Sequence, residues 1–489
     1  MTYAPPRLGP GAVYLRSLDG LFRSHADLIK VAEIEPQTLW TKGTASGALP
    51  RGSAAELRHL QALSQNMLTH GVGYPIGGTI CDQQRHVPLF RDWTQALGAP
   101  WASEHLSIFH VHGKNGEEPC GFLMPPLQTE AGARLAASNI ARRAAALERP
   151  FAFETGVNYF APRACEMPDG EFFRTVAETA DCGILLDLTN LWANHKNGRA
   201  DIHDVLARLP LERVWEMHLA GLEFAHGHWL DAHSNGIDDA LVEIASDVVA
   251  DLPNLGAIIF EIAPDRVGRF GARNWLSEME KVHRLWEKSC GTARSTSRPK
   301  VSARQPSAEL STPSPEDWER TLARRMLRSE SPSQAGTGPP EPRSSDERAF
   351  SLYRQLGASF RRGAVAELME NTTQLLLLAM GEAELRHLMD RYVAATSPVT
   401  FPTDEALSFR RFLAQNPLAI PGLEDLSKFE ATLVAAAADG ESMRVELSGD
   451  IDAMLGEIAL GRLPGPSTAR PGTVLEIVVD PMPAVRMIH

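Results

Sequence analysis

Thiol chemistry has little to work with in this chain: its five cysteines (Cys81, Cys120, Cys165, Cys182 and Cys290) contain no CxxC pair and are odd in number. Neither a disulfide framework nor a thiolate zinc site is suggested, and the cysteines read as reduced and structurally incidental. Long apolar runs are missing too. No stretch reaches the roughly 20 residues that span a bilayer, and the opening MTYAPPRLGPG has no charged-then-apolar signal pattern. The expectation is a soluble, cytoplasmic protein with no membrane partner. Basic excess is absent as well: the net charge of −13 argues against nucleic acid as a partner, which requires a Lys/Arg-rich face. Neither GxGxxG nor GxxxxGK[ST] occurs, so no organic cofactor is called for.

What the chain has is histidine in one part of its length. Of 16 histidines, only His387 and His489 lie beyond residue 290. Over the same first part, eight short apolar runs alternate with helical periodicity: Ala12–Leu18, Lys30–Glu35, the run into His70, Trp101–His105, Phe151–Glu154, Gly183–Asp187, Val214–His218 and Ala257–Glu261. Most end on or near an imidazole or carboxylate. Eight strands alternating with helices is the count of an α/β TIM (β/α)8 barrel, whose chemistry sits at the C-terminal strand ends.

At 489 residues the chain exceeds a barrel of about 250, so further domains follow. Residues 1–290 read as the catalytic barrel, with helices at 53–68 (Leu57, Leu60, Ser64, Met67) and around Trp275, Met279, Val282 and Trp286. Residues 291–345, rich in Ser, Pro, Gly and Arg, read as a flexible linker. Within it, Trp318, Leu322 and Met326 share one face of a short helix. Residues 346–489 read as a mainly helical domain, with a late strand or hairpin at TVLEIVVDP.

The site residues follow from position. His70 precedes glycines in THGVGYPIGG. In SEHL, neighbouring Glu104 and His105 point to opposite faces of a strand, and His105 is taken as the inward one. Glu154 closes FAFE, although Phe151 and Phe153 then need another packing surface. Asp187 follows four apolar residues, with Asn190 and Asn194 beyond it; a carboxylate there needs a cation or several hydrogen bonds. Glu216 and His218 share a face, and His218 is nearer the rim. Asp231 and His233 have D-x-H spacing, and Glu261 ends the eighth run. His110, His112, His195, His226 and His228 read as solvated loop residues. Imidazole mixed with carboxylate and no thiolate suits iron, manganese or zinc. One ion needs only three or four protein ligands, so more than one ion is expected, with Glu154 central enough to bridge two.

Taken together, HGVG, SEHL, E-x-x-x-NY, LLD-x-x-N, HLAG, LDAH and the closing FE resemble the multinuclear non-heme iron-dependent oxidative enzymes, the MNIO family of ribosomal peptide natural-product pathways, over about residues 10–288. The resemblance implies a TIM barrel holding two or three irons (Fe2+/Fe3+) that uses dioxygen to oxidise a residue of a precursor peptide, often Cys and in some members Asp or Asn. It implies metal ligands at His70, His105, Glu154, Asp187, His218, Asp231, His233 and Glu261, with Asn190 as a further one. Glu154, Asp187 and His218 stand as catalytic. The chain departs from the family in the first-strand word YLRSLDGLF, at Thr155 and at Thr189, which bears on nuclearity and substrate. FPTDEALSFRRFLAQNPLAIPGLEDLSKFEATLVAAAADG is similar, more faintly, to partner proteins that capture the precursor's leader. If this region does not fill that role, a separate leader-binding protein is expected. Two other readings use the same residues: a divalent-metal TIM-barrel isomerase or hydrolase, and a non-catalytic peptide-binding scaffold.

Overall fold

Eight parallel strands close on themselves, each paired with the next in chain order and the last with the first. In this computed structural model, which describes residues 3–44, 49–81, 86–114, 116–289, 312–327, 344–465, 469–479 and 483–488, they are β1 (Gly9–Val13), β2 (Val31–Ile34), β3 (Asn66–Gly71), β4 (Ala102–His105), β5 (Phe151–Glu154), β6 (Gly183–Asp187), β7 (Val214–Leu219) and β8 (Ala257–Phe260). Helices such as Glu130–Leu147, Asp169–Ala180 and Ala272–Ser289 lie between and after them. The architecture is a TIM barrel.

Side chains along each strand alternate between the barrel interior and the helix layer. Val31, Leu68, Trp101, Ala152, Leu185, Ala257 and Ile259 share one inner core. Phe151, Phe153, Ile184 and Leu186 belong to the outer one, and Phe153 meets Phe173 of the helix layer at 6.3 Å. That gives the two phenylalanines their packing surface and leaves Glu154 with the parity of Ala152. The same step of two leads from Leu68 to His70, from Leu185 to Asp187 and from Ile259 to Glu261. Apolar side chains fill the floor, and the next inward positions carry polar groups to the rim.

Two boundaries differ from the sequence reading. The first strand is Gly9–Val13 rather than Ala12–Leu18, whose end forms a 3-10 turn at Arg16–Leu18. A Cβ on Gly11 would lie 2.3 Å from the Val31 carbonyl oxygen, so this glycine, just before the expected run, permits close strand approach. The helix expected over 53–68 stops at Gln61. Met67 instead pairs with Ala32, because strand pairing outweighs a helical spacing of apolar residues.

After the barrel, residues 291–311 and 328–343 of the expected linker lie outside the described residues, as does Cys290. Two helices matter below. With α1 assigned to Leu188–Lys196, directly after β6, they are α2 (Pro315–Met326) and α3 (Ser344–Leu368). The α2 face of Trp318, Leu322 and Met326 is buried, and the Trp318 indole N–H donates to Pro125 O at 2.9 Å. Helices Glu370–Ala395, Pro402–Gln415 and Leu423–Asp439 follow, with an antiparallel sheet of Met443–Gly449, Ala469–Val479 and Pro483–Ile488. This region has its own core around Tyr392, Phe409, Leu426 and Val445. It touches the barrel through Lys42 with Asp404 at 3.1 Å and through the Thr44 N–H to Asp439 at 2.7 Å. Among the described residues no helix is long and apolar enough to cross a membrane.

Candidate metal centre

Strand register decides which rim residues become neighbours. His105 lies beside Glu154 and Asp187 beside His218 across adjacent strands. The Glu154 Oε2 atom stands 3.1 Å from His70 Nε2 and 3.2 Å from His105 Nε2. The far nitrogens of both rings are tied down: His70 Nδ1 lies 2.9 Å from Ser103 Oγ, and His105 Nδ1 lies 3.1 Å from Gly71 O. Both imidazoles therefore aim Nε2 at one point. The remaining oxygen, Glu154 Oε1, accepts from Asn190 Nδ2 at 3.0 Å.

Because α1 begins at the end of β6, Asp187 is its N-cap, with Oδ1 accepting the Asn190 N–H at 2.6 Å. Its Oδ2 is buried without a hydrogen-bond partner, as is Asn190 Oδ1. Across the barrel His218 is turned the other way: Nδ1 faces Glu261 Oε1 at 3.1 Å and Nε2 faces Glu33 Oε1 at 3.1 Å. Glu261 Oε2 reaches His233 Nε2 at 3.2 Å, and His233 Nε2 lies 3.0 Å from Asp231. The His70 and His218 ring centroids, 5.7 Å apart, join the two halves. All nine residues expected as ligands thus meet in one continuous cluster.

Among the described residues, three groups bring donor atoms within 4.8 Å of one another: His70, His105 and Glu154; Glu33, His218 and Glu261; Glu154, Asp187 and His218. Sequence reasoning missed Glu33, which is fully buried, and Glu35, whose carboxyl burial pushes up and whose surroundings include His70, His105, His233 and Glu261. The signal was present. In VAEIE the two acids stand two apart, the period that puts both inside the barrel. Glu216, set aside in favour of His218, is buried below it and accepts from Trp101 Nε1 at 2.9 Å.

Carboxylates outnumber imidazoles here, and the charges show it. Burial, reinforced by Asp231, Glu154 and Glu261, holds the Asp187 carboxyl well above its usual range. Burial likewise raises Glu33. Burial opposes ionisation of Glu154 too, yet His105 and His70 bring it down to about 2. Burial works against charging His218 and His233, but adjacent acids hold both well above the imidazole range. A pocket of buried acids, some forced to keep protons, is what bound cations would relieve. The donors are nitrogen and oxygen only, and the first group has two imidazoles and one carboxylate, a set suited to a divalent first-row cation such as iron or zinc.

Of the five histidines expected as solvated loop residues, His112 and His226 are exposed, while the placement of the others in loops, and of His112 too, needs correction. His110 is not a solvated loop residue: it sits in the hairpin strand Ile108–Gly113, is 8% exposed and lies 3.1 Å from Thr400 Oγ1. His112 shares that strand, His195 lies in α1 stacked on Trp192, and His228 begins the strand His228–Asp231. Only His226 is in a turn. The two threonines at which the chain departs from the resemblance serve the backbone. Thr155 Oγ1 accepts the Asp187 N–H and Thr189 Oγ1 accepts the Ala220 N–H.

Fold and site together define a TIM-barrel protein with a buried imidazole–carboxylate centre at its rim. The sequence matches the family model described as RiPP precursor modification enzyme MbnB/TglH/ChrH over residues 21–267. A UPF0276 protein of Anaeromyxobacter sp. (strain Fw109-5) is 31% identical over 228 residues, covering 46% of this chain and 79% of the relative. Another, of Shewanella loihica, is 30% identical over 272 residues, 54% of this chain and 90% of that protein. Similar solved structures include D-psicose 3-epimerase of Clostridium cellulolyticum H10, with 10% identity, 57% of this chain, 98% of that one and a TM-score of 0.39. The chain belongs to the RiPP precursor modification enzyme family MbnB/TglH/ChrH.

Proposed function

We propose that this protein oxidises one residue of a ribosomally made precursor peptide, a Cys or an Asp/Asn, using two or three irons at the barrel rim and dioxygen as the oxidant. One observation carries the reading: in a member of a precursor-modifying family, His70, His105 and Glu154 converge as two imidazoles and one carboxylate. The donor set fits the metal, because buried Asp187 Oδ2 and Asn190 Oδ1 lack hydrogen-bond partners and the surrounding acids lack balancing charge.

On this reading His70, His105, Glu154, Asp187, Asn190, His218, Asp231, His233 and Glu261 hold the ions, with Glu33 and Glu35 beside them. Bound iron would supply one-electron chemistry toward dioxygen and Lewis acidity toward the substrate thiol or carboxyl. The chain's residues supply geometry. Ser103 and Gly71 O fix two ring orientations, Glu33 fixes a third, and the N-cap bond holds Asp187 against rotation. Glu154, Asp187 and His218 stand nearest the middle and are the residues on which the chemistry would depend. The division into a catalytic barrel (1–290), a linker (291–345) and a leader-capturing helical region (346–489) belongs to the same proposal, and the α2 contact with the barrel makes that linker only partly free.

Anaerobic purification with metal analysis, then co-expression with a short peptide encoded beside the gene and mass spectrometry of that peptide, tests the reading. A mass change that disappears in Glu154→Ala is expected. An unaltered peptide mass, with iron present and reduced, would defeat it.

A further inference from the structure

The loop between β5 and the helix Asp169–Ala180 carries no helix or strand of its own, yet a site residue hangs from it. Tyr159 Oη accepts the Asp231 N–H at 3.3 Å, and Asp231 is the residue whose carboxylate meets His233. What holds Tyr159 comes from far along the chain. Tyr353, on α3, is fully buried and lies outside the family match of residues 21–267. Its hydroxyl accepts the Tyr159 N–H at 3.2 Å. Its ring lies 5.4 Å from that of Tyr159 and stacks at 5.3 Å on Phe160. Trp318 of α2 and Phe350 of α3 close on the same Phe160 ring at 5.4 and 4.9 Å. Arg163, further along the loop, pairs with Asp346 at 3.4 Å.

A loop without its own ladder takes its conformation from whatever satisfies its backbone. Here Asn194 and Arg199 of the barrel take the Asn158 N–H and the Phe160 carbonyl, while the Tyr159 N–H goes to Tyr353 of α3 and the rings of α2 and α3 close on Phe160. We propose that Tyr353 is a positioning residue for the Asp231–His233 half of the metal centre, so that the region beyond the barrel completes the site rather than being merely tethered to it. The inference rests on the reading that Asp231 and His233 hold a metal ion. It concerns the two halves unequally. His70, His105 and Glu154 are braced from within the barrel by Ser103, Gly71 and Asn190, and none of these three braces passes through Tyr159.

The test uses full-length, metal-free protein titrated anaerobically with Co2+, whose d–d absorption reports the ligand set of each bound ion. His233→Ala identifies the step that belongs to the Asp231–His233 half. In Tyr353→Phe, which keeps the ring and removes the acceptor, that step should weaken about tenfold and its band should shift, as loss of an outer-shell partner does. The His70–His105–Glu154 step should keep its affinity and spectrum. Leu352→Ala, a buried neighbour on α3, should lower the melting temperature while leaving both steps unchanged. The proposal is overturned if Tyr353→Phe and Tyr353→Ala both match the wild type in every step and band, or if Leu352→Ala reproduces the Tyr353→Phe effect. A wild-type protein that takes up neither Co2+ nor Fe2+ would instead remove the metal reading itself, an outcome distinct from the other two.

Discussion

Gly71→Ala is a one-methyl perturbation whose consequences can be followed into the site. Gly71 closes β3, one residue after His70, and a Cβ there would lie 2.2 Å from Glu104 Oε2 and 2.8 Å from its Cδ. Neither can yield cheaply. Glu104 is 1% exposed, lies 3.9 Å from buried Arg143, and accepts the His105 N–H at 3.1 Å. The methyl group must therefore displace either the strand or the carboxylate beneath His105. Overpacking of this kind costs about 1–3 kcal/mol, or roughly 2–12 °C in melting temperature at ~2–4 °C per kcal/mol. Since Gly71 O also orients the His105 ring, affinity for the proposed metal should fall about 10–100-fold. Thermal unfolding of the metal-free protein and anaerobic Fe2+ titration measure the two effects separately. Gly71→Ala with Glu104→Asp, which shortens the obstructing side chain, should recover part of each. A single variant with unchanged melting and affinity would refute the packing argument; loss of stability alone would refute the link from Glu104 to His105.

Three further outcomes are expected. Glu33→Gln keeps an acceptor for His218 Nε2 but removes an ionisable carboxyl, and should weaken metal binding about tenfold without unfolding the barrel, as read by titration and circular dichroism. Chelation should lower the melting temperature, since an ion held at 100 times its dissociation constant adds about 2.7 kcal/mol; coincident melting curves with and without chelator would count against a metal centre. Burial works against ionising Asp19, but hydrogen bonds from Arg23, His59 and Tyr14 bring it down to about 2. Its contribution is therefore present above the unfolded value near 4 and lost as pH falls from there toward 2, so Asp19→Asn should flatten the acid limb of the stability curve over that window.

His70, Glu154, Asp187 and Glu261 were legible because a lone polar residue after an apolar run on a parallel strand sits at a rim by period alone. Glu33 and Glu35 were not, although VAEIE has the same period, because nothing local distinguishes an acid aimed into a barrel from one on a solvated edge. His110 was misread for a related reason. The hairpin Ile108–Gly113 is an excursion from the barrel, and His110 there stacks on Tyr74 and meets Thr400, 290 positions away.

By itself the amino-acid order determined the eightfold alternation of strand and helix, the concentration of histidine in the barrel, and the identity of most groups at its mouth, since these follow from periodicity and composition within short windows. Tertiary structure alone decided how those groups face one another. Closing the barrel turned His218 with Nδ1 toward Glu261, opposite in sense to His70 and His105, whose Nε2 atoms face Glu154. Packing beyond the barrel brought Tyr353 beneath a loop 194 residues earlier. Both are relations between distant segments, fixed by ring orientation and excluded volume, and no local period encodes them.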